Sequence, residues 1–168
     1  MDISKPDKKL AAVCGLFCPS CTMFIASNED PERLKNIAAR QTQSMEDLRC
    51  EGCRAEKRTN YCKTCKITVC AAEKGIDFCG ECSEYPCAEI KEFQSNRPHR
   101  LELWQSQERI KEVGFEQWYQ EMIKHYSCPN CNTINSAYDT VCRKCGNSPS
   151  NEYNDQNSQE IIQRMVKK

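Results

Sequence analysis

The stretch Cys50–Cys87, CEGCRAEKRTNYCKTCKITVCAAEKGIDFCGECSEYPC, decides the architecture of this 168-residue chain. It carries eight cysteines: Cys50, Cys53, Cys62, Cys65, Cys70, Cys79, Cys82 and Cys87. Six of them form the three Cys-x-x-Cys pairs 50/53, 62/65 and 79/82. Two intervening residues let the backbone fold back so that both sulfurs face one point. A tetrahedral metal needs two such pairs, or one pair and two single ligands. The expected fold is therefore small, metal-stabilised, irregular and mainly α.

Two further cysteine elements flank this stretch. Upstream lies CGLFCPSC, with Cys14, Cys18 and Cys21 in a Cys-x3-Cys-x2-Cys spacing. Radical enzymes that use S-adenosylmethionine hold an open iron–sulfur cluster with the same spacing, but they build a large barrel of parallel strands around it. Here 147 residues follow Cys21 and no series of strand–helix units is visible, so that match is set aside. Iron–sulfur stays as the alternative cofactor. Downstream lies CPNC, ten residues, then CRKC: Cys128, Cys131, Cys142 and Cys145, the pattern of a four-cysteine zinc ribbon. Asn132 and Gly146 follow the two pairs and tolerate the positive φ of a tight metal knuckle. The ten intervening residues are expected to form a short β-hairpin, with Thr133-Ile134 and Thr140-Val141 as its strand-like ends.

Composition agrees with metal in place of an ordinary core. Hydrophobic residues make up 39% of the chain, but 15 of them are cysteines, and aromatics reach only 8%. A domain short of core needs staples. The N-terminal MDISKPDKKLAAV has no apolar run of signal-peptide length, and no stretch approaches the ~20 apolar residues of a membrane span. The expectation is a cytoplasmic protein without a membrane partner, in which thiols stay reduced and bind metal. The odd cysteine count also fits a pure disulfide framework poorly. Formal net charge is zero, so no global basic field draws in nucleic acid. Basic residues between Arg49 and Lys66 and acidic ones between Glu73 and Glu92 read as loops that attract one another or as solvated faces.

Helical signals fill the intervals. A helix is predicted over 28–43, capped by Asn28 or Asp30 with Pro31 in its first turn, and a short turn from Ser44 with Asp47. Another covers 68–74, stopped by Gly75, and a third runs from Pro86 to Gln94 behind Ser83 as cap. After Pro98 two amphipathic helices meet at Gly114, with Trp104 and Trp118 as core anchors and His99 and His125 as surface residues. His99 is a further candidate to complete a metal site short of one thiolate. The reading divides the chain into a metal module over 1–96, a helical connector over 97–127, the ribbon over 128–146 and a flexible polar tail over 147–168. Within that tail, 160–168 has the makings of a small helix.

In their order and spacing, CGLFCPSC, CEGCR, YCKTCKITVCAAEKG and FCGECSEYPC resemble the domain-of-unknown-function 3795 family, over about 12–94. The segment RPHRLELWQSQERIKEVGFEQW and the ribbon look like an extension of it. The resemblance implies a metal-binding protein without an assigned activity. All fifteen cysteines are candidate ligands, for about three zinc ions. Eleven remain once the ribbon is set aside, and their pairing stays open. No Ser-His-Asp set, phosphate-cradling loop or paired-histidine metal motif appears. The reading leans away from an enzyme and towards a structural-zinc interaction or regulatory module with a protein partner. The alternatives are an iron–sulfur or reactive-thiol redox protein, in which Cys14 and Cys87 are the thiols to watch, and a nucleic-acid binder. For the last, Arg143 and Lys144 against Asp139 make a weak footprint.

Overall fold

The computed structural model describes residues 2–166. Nine α-helices are found among them, and no strand beyond isolated bridges. Helix α1 is Thr22–Asn28, α2 Pro31–Gln41, α3 Met45–Leu48, α4 Asn60–Lys63 and α5 Lys66–Lys74. They are followed by α6 Ala88–Ser95, α7 Leu103–Val113, α8 Phe115–Tyr126 and α9 Glu152–Val166. None is long and apolar enough to cross a membrane.

Local chemistry explains most of the ends. The Asp30 carboxylate accepts the Arg33 amide and Pro31 opens α2, while Ser44 accepts the Asp47 amide before α3. Gly75 closes α5 at φ 64°, in the left-handed region that a side chain would disfavour. The predicted Ser83 cap does not form. Helix α6 begins only after Cys87, its N-cap, so Pro86 lies before the helix rather than in its first turn.

The apolar core is more substantial than the composition suggested, because the few aromatics are concentrated in one place. Trp118, Tyr119 and Tyr153 are fully buried with Leu10, Phe24 and Ile161, and Phe17, Phe78 and Phe115 join them. Phe17 meets Tyr119 edge-on at 5.1 Å between ring centroids, and Tyr126 stacks on Tyr153 at 5.2 Å. One cluster thus takes residues from before Cys18, from the central stretch, from α7 and α8, and from α9. Trp104, by contrast, is half-buried at the edge of a second cluster, against Tyr85. A third cluster joins α1, α2 and α3 through Ala26, Leu34, Ile37 and Leu48.

Two expectations are corrected. The β-hairpin inside the ribbon is absent: Ile134 forms an isolated antiparallel bridge with Ser127, and the Thr140 carbonyl accepts the Ser150 amide. The 147–168 stretch is not a flexible tail over its described residues. Asn151 caps α9 by accepting the Asn154 amide at 2.9 Å, and Tyr153 and Ile161, both 0% exposed, anchor its inner face. Polar composition misled because the docking surface is itself polar. The buried Asn154 amide donates to the Ser136 and Asp139 carbonyls and to Ser150.

Candidate metal centre

The C-terminal quartet is the most closely converged cysteine group. The sulfurs of Cys128, Cys131, Cys142 and Cys145 all lie within 4.8 Å of one another. Cys128–Cys145 and Cys131–Cys142 are each 3.6 Å apart. Zinc–thiolate bonds of about 2.3 Å in a tetrahedron put sulfurs roughly 3.8 Å apart, so the set has the size and the soft chemistry for such an ion. Asn132 at φ 59° and Gly146 at φ 76° turn the chain behind each pair, as their positions predicted.

Amides support charge on these sulfurs. Burial opposes the Cys142 thiolate, but the Cys145 and Lys144 amides and the Asn135 side chain outweigh it and bring the group down to about 6. At Cys128 burial wins over the Asn130 and Cys131 amides and pushes the thiol up to about 11. Asn135 is the hub that the sequence reading missed. Fully buried, it donates to Cys142 Sγ, the Thr133 carbonyl and the Ser150 carbonyl, and it accepts the Arg143 amide at 3.0 Å. It therefore ties the knuckle to the segment that leads into α9.

The ribbon is seated on the N-terminal half. Arg33 forms a two-pronged ion pair with Asp139 at 2.9 and 3.2 Å, Thr22 bonds Ser136 at 3.1 Å, and Arg143 pairs with Glu29.

The other eleven cysteines are all free thiols that fall into two sets. Cys14, Cys18, Cys21, Cys50, Cys53, Cys62 and Cys65 line one cavity of about 780 Å³. Cys70, Cys79, Cys82 and Cys87 lie outside it; burial first, and then the charges of Cys87, Cys70 and Cys82 and of Cys65 from the cavity set, push Cys79 up to about 12. Among the described residues neither set converges as tightly as the C-terminal quartet.

Within the cavity set, the Cys53 amide donates to Cys18 Sγ at 3.2 Å. A hydrogen bond from Cys18 favours the thiolate at Cys53, against burial and with help from Arg54 and Arg58, and brings it to about 7. Burial pushes Cys50 up to about 12 and Cys62 to about 11, and Cys14 well above its ordinary range. At Cys82 the Glu84 amide and the Lys74 ammonium, 3.2 Å from the sulfur, lower the pKa.

Helix α7 fixes the first cysteine element against the Cys79/Cys82 pair of the central stretch. The Gln107 side chain, 1% exposed, accepts the Gly80 amide at 2.7 Å and donates to the Val13 carbonyl at 3.1 Å. Ser106 donates to the Gly15 carbonyl at 2.6 Å and accepts from the Trp118 indole at 2.9 Å. A Cβ on Gly15 would stand 2.9 Å from Gln107 Nε2, and one on Gly80 2.7 Å from Gln107 Oε1. Each glycine follows its cysteine because this polar side chain approaches so closely.

Neither histidine is a free surface residue. His99 Nδ1 lies 2.7 Å from the Tyr138 hydroxyl, and its Nε2 accepts from Arg100 at 3.3 Å. Burial, with Arg100 and Arg97 beside it, drops its pKa to about 3, so the ring is neutral with both nitrogens engaged. His125 bridges Glu102 at 2.7 Å and Glu152 at 3.2 Å. Across the oppositely charged loops, Arg54 reaches Asp77 at 3.1 Å, while Lys74–Glu84 and Lys57–Glu46 are more local.

Fold and site together define a helical, cysteine-rich protein with a four-thiol group able to hold a metal ion. Residues 10–92 match the family described as "Protein of unknown function (DUF3795)", and over those residues the chain is a member of it. No curated protein and no solved structure matches the chain. The C-terminal quartet lies outside the matched segment.

Proposed function

We propose that the chain is a zinc-binding interaction or regulatory module. Its C-terminal quartet would hold one closed structural zinc, and Cys70, Cys79, Cys82 and Cys87 a second. The observation that carries this reading is the convergence of Cys128, Cys131, Cys142 and Cys145 to tetrahedral sulfur–sulfur distances. Zinc bound by four thiolates has no open position for a substrate, which favours a scaffold over a hydrolytic centre. Thiols held up by burial are what a cation reverses, since a coordinating thiol is deprotonated outright.

A protein partner fits better than nucleic acid. Positive and negative side chains balance at 24 each, and the ribbon's Arg143 is committed to Glu29 and to the Ile134 carbonyl. The test is zinc analysis of the full chain beside Cys128→Ser/Cys142→Ser, with the two proteins compared for stability to a chelator. The reading expects the variant to lose one zinc per chain and to unfold at lower chelator concentration. Equal zinc in the two proteins would reject it.

A further inference from the structure

The 780 Å³ cavity is larger, and richer in sulfur, than one closed zinc site requires. A tetrahedral ion needs four thiolates, and seven line this wall. The volume is many times the ~30 Å³ share of a single water.

Charge gives an independent observation. The cavity wall carries no Asp or Glu among the described residues, yet Arg97 and Arg100 are part of it. Arg100 is 7% exposed, stacks on the Phe93 ring at 3.5 Å, and donates to the Phe93 carbonyl, the Tyr61 hydroxyl and His99. All of these partners are neutral. Arg58, beside Cys53, has a buried Nε without a hydrogen-bond partner and reaches only the Cys53 carbonyl at 3.4 Å. Arg58 itself lies outside the cavity wall, and the Thr68 hydroxyl, on the wall, is buried with only Cys53 to bond to. Buried guanidinium charge without an anion is costly, and sulfurs deprotonated by a bound cation would be the anions on the same wall as Arg100.

We propose that this cavity holds a polynuclear metal–sulfur cluster, bridged and capped by its seven thiolates, with Arg100 in its wall and Arg58 behind Cys53 as counter-charges. Seven thiolates around two divalent ions leave an excess of three negative charges, which accounts for guanidiniums that have no carboxylate. The inference rests on the reading of this chain as a metal–thiolate protein. It adds that the cavity centre differs in kind from the two quartets.

The experiment uses the full chain purified without oxygen. Ions are counted by native mass spectrometry, and each thiol's protection from alkylation is mapped by peptide. The expected result is at least two ions beyond those of the quartets, with the seven cavity thiols protected. Inorganic sulfide with visible absorbance identifies an iron–sulfur cluster, and a colourless preparation with zinc alone identifies a zinc–thiolate cluster. Arg100→Gln should release the cavity ions to chelator about 10–100-fold more readily, as is typical for loss of a supporting partner, while leaving the C-terminal quartet loaded. Arg100→Lys, which keeps the charge, should lie closer to the parent. Freely alkylated cavity thiols beside a protected C-terminal quartet would overturn the cluster and leave the zinc-module reading standing. Both sets alkylated would overturn both. Unchanged retention in Arg100→Gln would overturn the counter-charge role, and if that variant fails to fold, the parent's ion count and Arg100→Lys still decide.

Discussion

The two ends of this protein handle cysteine differently. In the C-terminal quartet, two pairs joined by ten residues bring their sulfurs to 3.6 Å, with Asn135 and the knuckle amides in support. Around the N-terminal cavity, seven thiols drawn from Cys14 to Cys65 face a common space without meeting at a point. A short loop closes at little entropic cost and fixes its ligands locally. The dispersed set depends on α1, α5 and α7 to bring its segments together. The ribbon's centre is thus a property of a short sequence, and the cavity's centre is a property of the tertiary fold.

The largest expected effect tests the local side of that contrast. Structural zinc contributes about 10–16 kcal/mol of apparent binding energy in peptides, against net domain stabilities of about 5–15 kcal/mol. Cys142→Ser should therefore strip amide-exchange protection from 127–150. Protection that survives verified loss of the metal would show that hydrogen bonds alone hold the ribbon.

Next in size is the seat of α9. Tyr153→Ala removes a fully buried ring and should cost about 3–5 kcal/mol. Amide exchange over 152–166 should rise, while the C-terminal quartet keeps its metal. Loss of metal in this variant would mean that the ribbon is less autonomous than its geometry implies.

The tertiary side of the contrast is probed by Gln107→Ala, which leaves the buried Gly80 amide unpartnered at a cost of about 1–3 kcal/mol and removes one of the two donors to the Val13 carbonyl, the other being the Cys79 amide. Alkylation of Cys14 and Cys79 should accelerate, and that of Cys128 and Cys142 should not. Equal acceleration at all four thiols would erase the distinction between the ends.

The smallest effect is a pH dependence at the α8–α9 junction. Burial opposes charge on His125, but Glu102 and Glu152 outweigh it and raise the folded pKa above 6.5. Its contribution is fully present below 6.5 and is lost as pH rises through the raised folded value. Denaturant midpoints of His125→Gln measured across that window should lack this decline. A decline equal to the parent's would assign it to another group.

Much of the site was legible because metal knuckles are written in local spacing. Cys128, Cys131, Asn132, Cys142, Cys145 and Gly146 could be read from the chain alone, and so could the Ser44 cap and the Gly75 stop, while Asp30 was one of two candidate caps and the other, Asn28, ends α1. Polar groups satisfied over long range left no such trace. Asn135, Asn154, Gln107 and Ser106 look like surface residues in sequence, yet they are buried with their partners up to 94 positions away. The glycines after Cys14 and Cys79 were the available hint of a close approach, but they did not name Gln107. The hairpin expectation failed because the two ends of the segment between the ribbon's pairs bond outward, to Tyr126 and Cys128 at one end and to Ser150 at the other, rather than to each other.

The most direct test of the central claim is X-ray absorption at the zinc edge of the full chain, loaded stoichiometrically. Four sulfur neighbours at about 2.3 Å, with no lighter shell, are predicted. A first shell containing nitrogen or oxygen, or zinc that fails to bind at all, would contradict it.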